Sequence, residues 1–149
     1  MAVRTLVVLS VTLATLGCSS NSTPSSATTS STSSTPAPAF SQTELVIGTG
    51  TTLSNGRFAT VHYTLWLYDP AAPEQKGTQM ETSVGGSPYR FLVGAGGVIR
   101  GWDLGVPGMR VGGQRRLIVP PSLAYGSSGK GQIGPNQSLV FDIELVLVE

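Results

Sequence analysis

The chain has 149 residues, a formal net charge of +1, one cysteine and one histidine. Charge this close to neutral provides no field to draw the protein to nucleic acid or to an anionic surface. A lone cysteine forms no internal disulfide, and with a lone histidine it builds no Cys/His zinc site, so neither a metal nor a cofactor is expected.

Residues 1–17 read as a signal peptide. One positive charge, Arg4, precedes an apolar run over residues 6–16 that is too short to be a permanent transmembrane helix. The run ends in Leu16-Gly17-Cys18, which resembles a bacterial lipobox, although Thr15 stands where such signals usually carry leucine. The resemblance implies a diacylglycerol anchor on Cys18. The expected location is the bacterial cell envelope, with the exported protein lipid-anchored and facing the periplasm or the cell exterior.

Residues 18–39 follow as a linker. They are almost wholly Ser, Thr, Pro and Ala with no charge, so they bury too little apolar surface to offset the entropy of folding. As a flexible coil the segment reaches about 25 Å on average. Residues 40–149 remain for one small domain with a single core.

That domain is rich in glycine and in short apolar runs between turn signals, which favours strands. Strands are expected at 44–47, 57–68, 78–82, 89–93, 114–119 and 139–148, with loops at 69–77 and 122–136. Alternation on the second strand places Val61, Tyr63 and Leu65 on one face and His62, Thr64 and Trp66 on the other. Residues 98–106 form the one helix pattern, stopped by Pro107-Gly108. The expected fold class is α+β, an antiparallel twisted sheet wrapped on one short helix. Arg115-Arg116 is the only basic pair and reads as part of a solvated face. His62 reads as structural.

Six segments, taken in order, resemble the FKBP family of peptidyl-prolyl cis-trans isomerases. They are Val61-His62-Tyr63-Thr64, Tyr89-Arg90-Phe91-Leu92-Val93-Gly94 and Val98-Ile99-Arg100-Gly101-Trp102-Asp103, then Gly108-Met109-Arg110-Val111-Gly112, Val119-Pro120-Pro121 leading to Leu123-Ala124-Tyr125-Gly126, and Leu139-Val140-Phe141-Asp142-Ile143-Glu144-Leu145. The resemblance implies a prolyl isomerase that assists the folding of exported proteins. Its partners would be proline-containing polypeptides, tacrolimus-like macrolides and, through the anchor, a membrane. A monomer is expected.

The resemblance also assigns roles. Trp102 would be the floor beneath the proline ring, with Tyr63, Val98, Ile99 and Phe141 as walls and Tyr89 in an aromatic wall position. The Ile99 N–H and the Tyr125 hydroxyl would donate to substrate carbonyls, and Ile133 would line the rim. Where the family usually has Phe-Asp-Ser-Ser, this chain reads Met80-Glu81-Thr82-Ser83. Met80 would replace an aromatic wall, and Glu81 a hydrogen-bonding aspartate one methylene shorter. This departure motivates an alternative, a non-catalytic peptide-binding or chaperone module on the same scaffold.

Other motifs fall away. Gly94-Ala95-Gly96-Gly97 lacks the Gly-Lys-Ser/Thr of a phosphate loop, and Gly129-Lys130-Gly131 lacks its spacing. A Ser/His/Asp triad would need His62, and no Gly-x-Ser-x-Gly elbow is present.

Overall fold

The computed structural model describes residues 36–149. The expected signal peptide, Cys18 and the linker as far as residue 35 lie outside the described residues. In chain order the elements are β1 (Ser41–Val46), β2 (Phe58–Tyr68), β3 (Lys76–Thr82), β4 (Tyr89–Leu92), α1 (Arg100–Gly105), β5 (Gln114–Val119) and β6 (Leu139–Val148). Short 3-10 turns occupy Pro73–Gln75 and Pro121–Leu123.

The strands form one six-stranded sheet in the order β1-β5-β6-β2-β3, with β4 also paired to β2. Every pairing is antiparallel. β2 is long enough to take two partners along one edge: Phe58–Val61 pair with β4, and Thr64–Tyr68 pair with β3. Its valine, threonine and aromatic content suits an extended, half-buried backbone. The α+β class expected from the sequence is the one observed.

Register sets which side chains meet. Leu65, Phe141 and Leu117 lie opposite one another across β2, β6 and β5. Tyr63, Ile143 and Arg115 form the next inward row. Val61, Leu65, Leu117, Val119, Phe141, Ile143 and Leu145 are all buried on this face.

Helix α1 lies on the inner face against β5. Gly101 and Gly105 are four residues apart, so they share one side of the helix. A Cβ on Gly101 would come within 2.5 Å and 2.9 Å of the Val119 methyls, and one on Gly105 within 2.6 Å of a Leu117 methyl. The bare helix backbone therefore rests directly on these side chains. The helix is shorter than the 98–106 read from the sequence, because Ile99 has an extended backbone (ψ 147°) and acts as its N-cap. Val98 and Ile99 belong to the non-helical lead-in to α1 and pack against the core.

Two boundaries also shift. β1 begins at Ser41, earlier than residue 44, and β3 begins at Lys76, inside the expected loop. Lys76 pairs with Tyr68, and its ammonium sits 4.4 Å above the Trp66 ring.

The reading of Arg115-Arg116 as a solvated face is overturned. Arg115 is 6% exposed. Alternation on β5 turns it inward with Leu117 and Val119, where its guanidinium binds Glu44 and the carbonyls of Gly105 and Pro107 at the end of α1. It thus satisfies carbonyls left over at a helix C-terminus. Arg116 faces outward but is held by both oxygens of Asp142, at 2.7 Å and 3.0 Å. Lys76 joins the same carboxylate at 2.7 Å. His62 lies on this outer face, with Nδ1 3.0 Å from the Ser83 carbonyl oxygen.

Candidate active site

Trp102, the third residue of α1, is 4% exposed and lies at the base of an open cavity of about 620 Å³. Four aromatic rings surround its indole. Tyr63, Phe141 and Tyr89 present themselves nearly edge-on at centroid distances of 5.2, 5.4 and 6.2 Å. Phe91 is tilted at 5.4 Å. Such pairs add about 0.5–1.5 kcal/mol each beyond area burial. The indole Nε1 is sealed from solvent and has no oxygen or nitrogen partner. That loss costs about 1–3 kcal/mol, which the packing of the large ring offsets.

Each wall comes from a different element. β2 supplies Tyr63 and Leu65, β6 supplies Phe141, and β4 supplies Tyr89. Val98 and Ile99 enter from the lead-in to α1. Asp103 holds the loop before them, its two carboxylate oxygens accepting the N–H groups of Gly94 at 2.8 Å and Gly96 at 3.1 Å. Ala124 and Tyr125 come from the turn after β5, which is closed by bonds from the N–H groups of Ala124 and Gly126 to the Pro121 carbonyl. The Ile99 N–H and the Tyr125 hydroxyl donate to no group among the described residues.

Glu81 stands opposite Leu65 on β3 and faces the cavity. Its Oε1 accepts a 2.6 Å hydrogen bond from the Tyr63 hydroxyl. The extra methylene therefore does not prevent contact with the pocket tyrosine. Burial, then the bond to Glu81, pushes the Tyr63 phenol far above its ordinary pKa. Burial, then the charge of Glu81, raises Tyr125 as well. Both phenols are thus neutral donors at any physiological pH.

Tyr63, Glu81, Tyr89, Val98, Ile99, Trp102, Tyr125 and Phe141 all meet at this cavity. Met80 and Ile133 do not line it; both are partly buried against the core. At Met80 the β2–β3 register shifts, so that Glu81 and Gln79 find partners while Met80 has none opposite it. Sequence reasoning passed over Leu65, Gly97, Arg100, Ala124 and Lys130 as lining residues. Leu65 was recoverable, because it shares the alternating face of Tyr63. Arg100 and Lys130 carry no local signal of their placement.

Among the described residues no serine, threonine, cysteine or histidine lines the cavity. It can seat a small apolar ring against an indole and present neutral donors to nearby carbonyl groups.

Comparison with known proteins agrees with this geometry. A family model described as FKBP-type peptidyl-prolyl cis-trans isomerase matches residues 49–146. Peptidyl-prolyl cis-trans isomerase FKBP53 of Arabidopsis thaliana is 49% identical over 77 residues, which is 51% of this chain and 16% of that protein. FK506-binding protein 2 of Dictyostelium discoideum is 38% identical over 141 residues, 93% of each chain. The crystal structure of FkpA from Escherichia coli superposes with a TM-score of 0.63 at 33% identity, covering 74% of this chain and 48% of that one. The chain spans only 16%, 21% and 19% of the length of three of the curated relatives it matches.

Proposed function

This chain belongs to the FKBP-type peptidyl-prolyl cis-trans isomerase family, and from that premise we propose that its domain catalyses rotation about the bond preceding proline in polypeptides. The observation that carries the reading is the cavity over Trp102, ringed by Tyr63, Tyr89 and Phe141, with the Ile99 N–H and the Tyr125 hydroxyl unengaged beside it.

The uncatalysed rotation crosses a barrier of about 18–20 kcal/mol, because amide resonance must be broken. No covalent step is needed. The proline ring seats on the Trp102 indole between the aromatic walls. The Ile99 N–H and the Tyr125 hydroxyl donate to neighbouring substrate carbonyls and fix the chain on either side of the rotating bond. The twisted amide has less charge separation than the planar one, so the aromatic walls around the proline ring disfavour it less than water does. This is preferential binding of the transition state combined with positioning. Glu81 orients the Tyr63 ring through its hydroxyl. Because Glu81 keeps that bond, the catalytic reading is favoured over a non-catalytic binding module.

We further propose that the substrates are proline-containing segments of exported proteins, and that the domain works as a monomer. The lipobox-like Leu16-Gly17-Cys18 and the uncharged linker support a lipid anchor in a bacterial cell envelope. Tacrolimus-like macrolides would compete for the same cavity. Loss of membrane association on Cys18→Ser tests the anchor; unchanged partitioning would remove it.

The activity is tested by NMR exchange on a proline peptide and by proline-limited refolding of a model protein. Tyr125→Phe is expected to lower kcat/KM about threefold to tenfold, and Trp102→Ala with Tyr125→Phe to abolish the acceleration. Equal rates for wild type and a folded double variant would overturn the assignment.

A further inference from the structure

We propose that Arg100 and Lys130 make the rim of this cavity select prolines flanked by an acidic side chain, an inference that rests on the isomerase reading and names its substrate class. Among the described residues they are the only cations lining the cavity, and Glu81 is the only carboxylate. Glu81 already accepts the Tyr63 hydroxyl. Among the described residues the ion pairs are formed by Lys76, Arg90, Arg115 and Arg116. Arg100 and Lys130 therefore face the cavity mouth without a carboxylate of their own.

Lys130 is not a freely placed surface lysine. Its ammonium lies 5.4 Å from the centroid of the Tyr125 ring, the side chain proposed to bind a substrate carbonyl. Its backbone is pinned on both sides, since its N–H donates to the Ile133 carbonyl and its carbonyl accepts the Ile133 N–H, each at 2.9 Å. The tight turn requires Gly129 at φ +66°, where any Cβ would collide with the Ile133 carbonyl. Holding the backbone in place lowers the ordering entropy of a charge contact. Arg100 opens α1 directly after Ile99, whose N–H is the other proposed anchor. The two cations thus stand next to the two groups that would grip the peptide on either side of its proline. Glu81 on β3 is committed to the Tyr63 hydroxyl, so the two cations are the charged groups left to meet an acidic side chain.

Exposed charge pairs are weak, so the expected selectivity is about threefold to tenfold, and it declines with salt. The test uses short peptides with Glu, Leu or Lys immediately before or after one proline. Affinity is read by NMR titration, and exchange by NMR line shape, in 20 mM and 1 M sodium chloride.

At low salt, Glu is expected to exceed Leu and Leu to exceed Lys at one or both positions, with the order flattened in 1 M salt. Arg100→Glu with Lys130→Glu should invert the Glu/Lys ratio, whereas Lys130→Arg should preserve it. The ratio between peptides is the readout, because a general loosening of the pocket would lower all of them together. Catalysis with equal kcat/KM for the three peptides overturns the selectivity and leaves the isomerase reading standing. Glu-selective binding without any exchange enhancement overturns the isomerase reading and supports the selectivity. A preference that survives the double variant also overturns the role of these two residues.

Discussion

The Tyr63 hydroxyl donates to Glu81 Oε1 at 2.6 Å, joining β2 to β3 across the wall of the cavity. The bond keeps the Tyr63 ring edge-on to the Trp102 indole, with centroids 5.2 Å apart. Tyr63→Phe should lower kcat/KM by about tenfold while changing stability by only about 0.5–1.5 kcal/mol, the usual net worth of one hydrogen bond. The double change Met80→Phe with Glu81→Asp should alter kcat/KM by less than about threefold, since Met80 does not line the cavity and Glu81 already makes the contact. Peptide exchange kinetics check both. A rise of several orders of magnitude from near zero in the double variant would favour a non-catalytic module instead.

Asp103 fixes the loop that delivers Val98 and Ile99. It accepts the N–H groups of both Gly94 and Gly96. Asp103→Ala should destabilise the domain by about 1.5–3 kcal/mol, the range for hydrogen bonds to a charged group. It should also raise KM more than it lowers kcat, because the loop positions the Ile99 N–H. Asp103→Asn should recover part of both, as one oxygen acceptor remains. Thermal melts and saturation kinetics measure the two effects; an unchanged KM in the alanine variant would contradict the positioning role.

Gly101 allows α1 to lie directly on Val119. Its backbone is free of positive-φ strain, so space alone decides the outcome of a substitution. Gly101→Ala should destabilise by about 1–3 kcal/mol, as overpacking generally does, despite the better helix propensity of alanine. The displaced helix should carry Trp102 with it and alter the indole fluorescence. Gly101→Ala together with Val119→Ala should restore most of the native indole fluorescence by vacating the contact. Denaturant titration of the single and double variants provides the check.

The outer-face carboxylate of Asp142 sets the acid limb of stability. Burial works against its ionisation, but Arg116 and Lys76 overcome this and hold its pKa below the ordinary 3.8. A carboxylate depressed in the folded state contributes stability above its unfolded pKa and loses it as pH falls toward the folded value. Stability should therefore change little through Asp142 from pH 7 to about 5, and fall below about pH 4. Asp142→Asn should be less stable than wild type at pH 7, with the difference shrinking toward pH 2. Thermal melts across this range test the claim, and a constant difference would refute it.

Much of the fold was legible because alternation and turn chemistry are local. The strands at 57–68, 114–119 and 139–148 follow from apolar and β-branched runs, and the observed β2, β5 and β6 lie within one residue of them. The helix was overextended at its start because Val98 and Ile99 fit a helical apolar pattern equally well. In the folded chain both pack against the core, and Ile99 takes an extended backbone that ends the helix pattern. Arg115 was misjudged although the same alternation places it inward with Leu117 and Val119. Charge argued for solvent, and the partners that make burial tolerable, Glu44 and the carbonyls of Gly105 and Pro107, lie elsewhere in the chain.

Within the described residues the chain by itself determined six strands, one α-helix, the ordered motifs and the residue types able to form an aromatic cup. Side-chain direction along a strand follows from covalent geometry, so Tyr63 and Leu65 had to share a face. Only the tertiary structure decided that Glu81 reaches Tyr63, that Met80 falls at a register shift outside the cavity, and that Arg100 and Lys130 come to its mouth. Those outcomes depend on cross-strand register and loop closure, which are set by contacts between residues distant in sequence rather than by the preferences of any one segment.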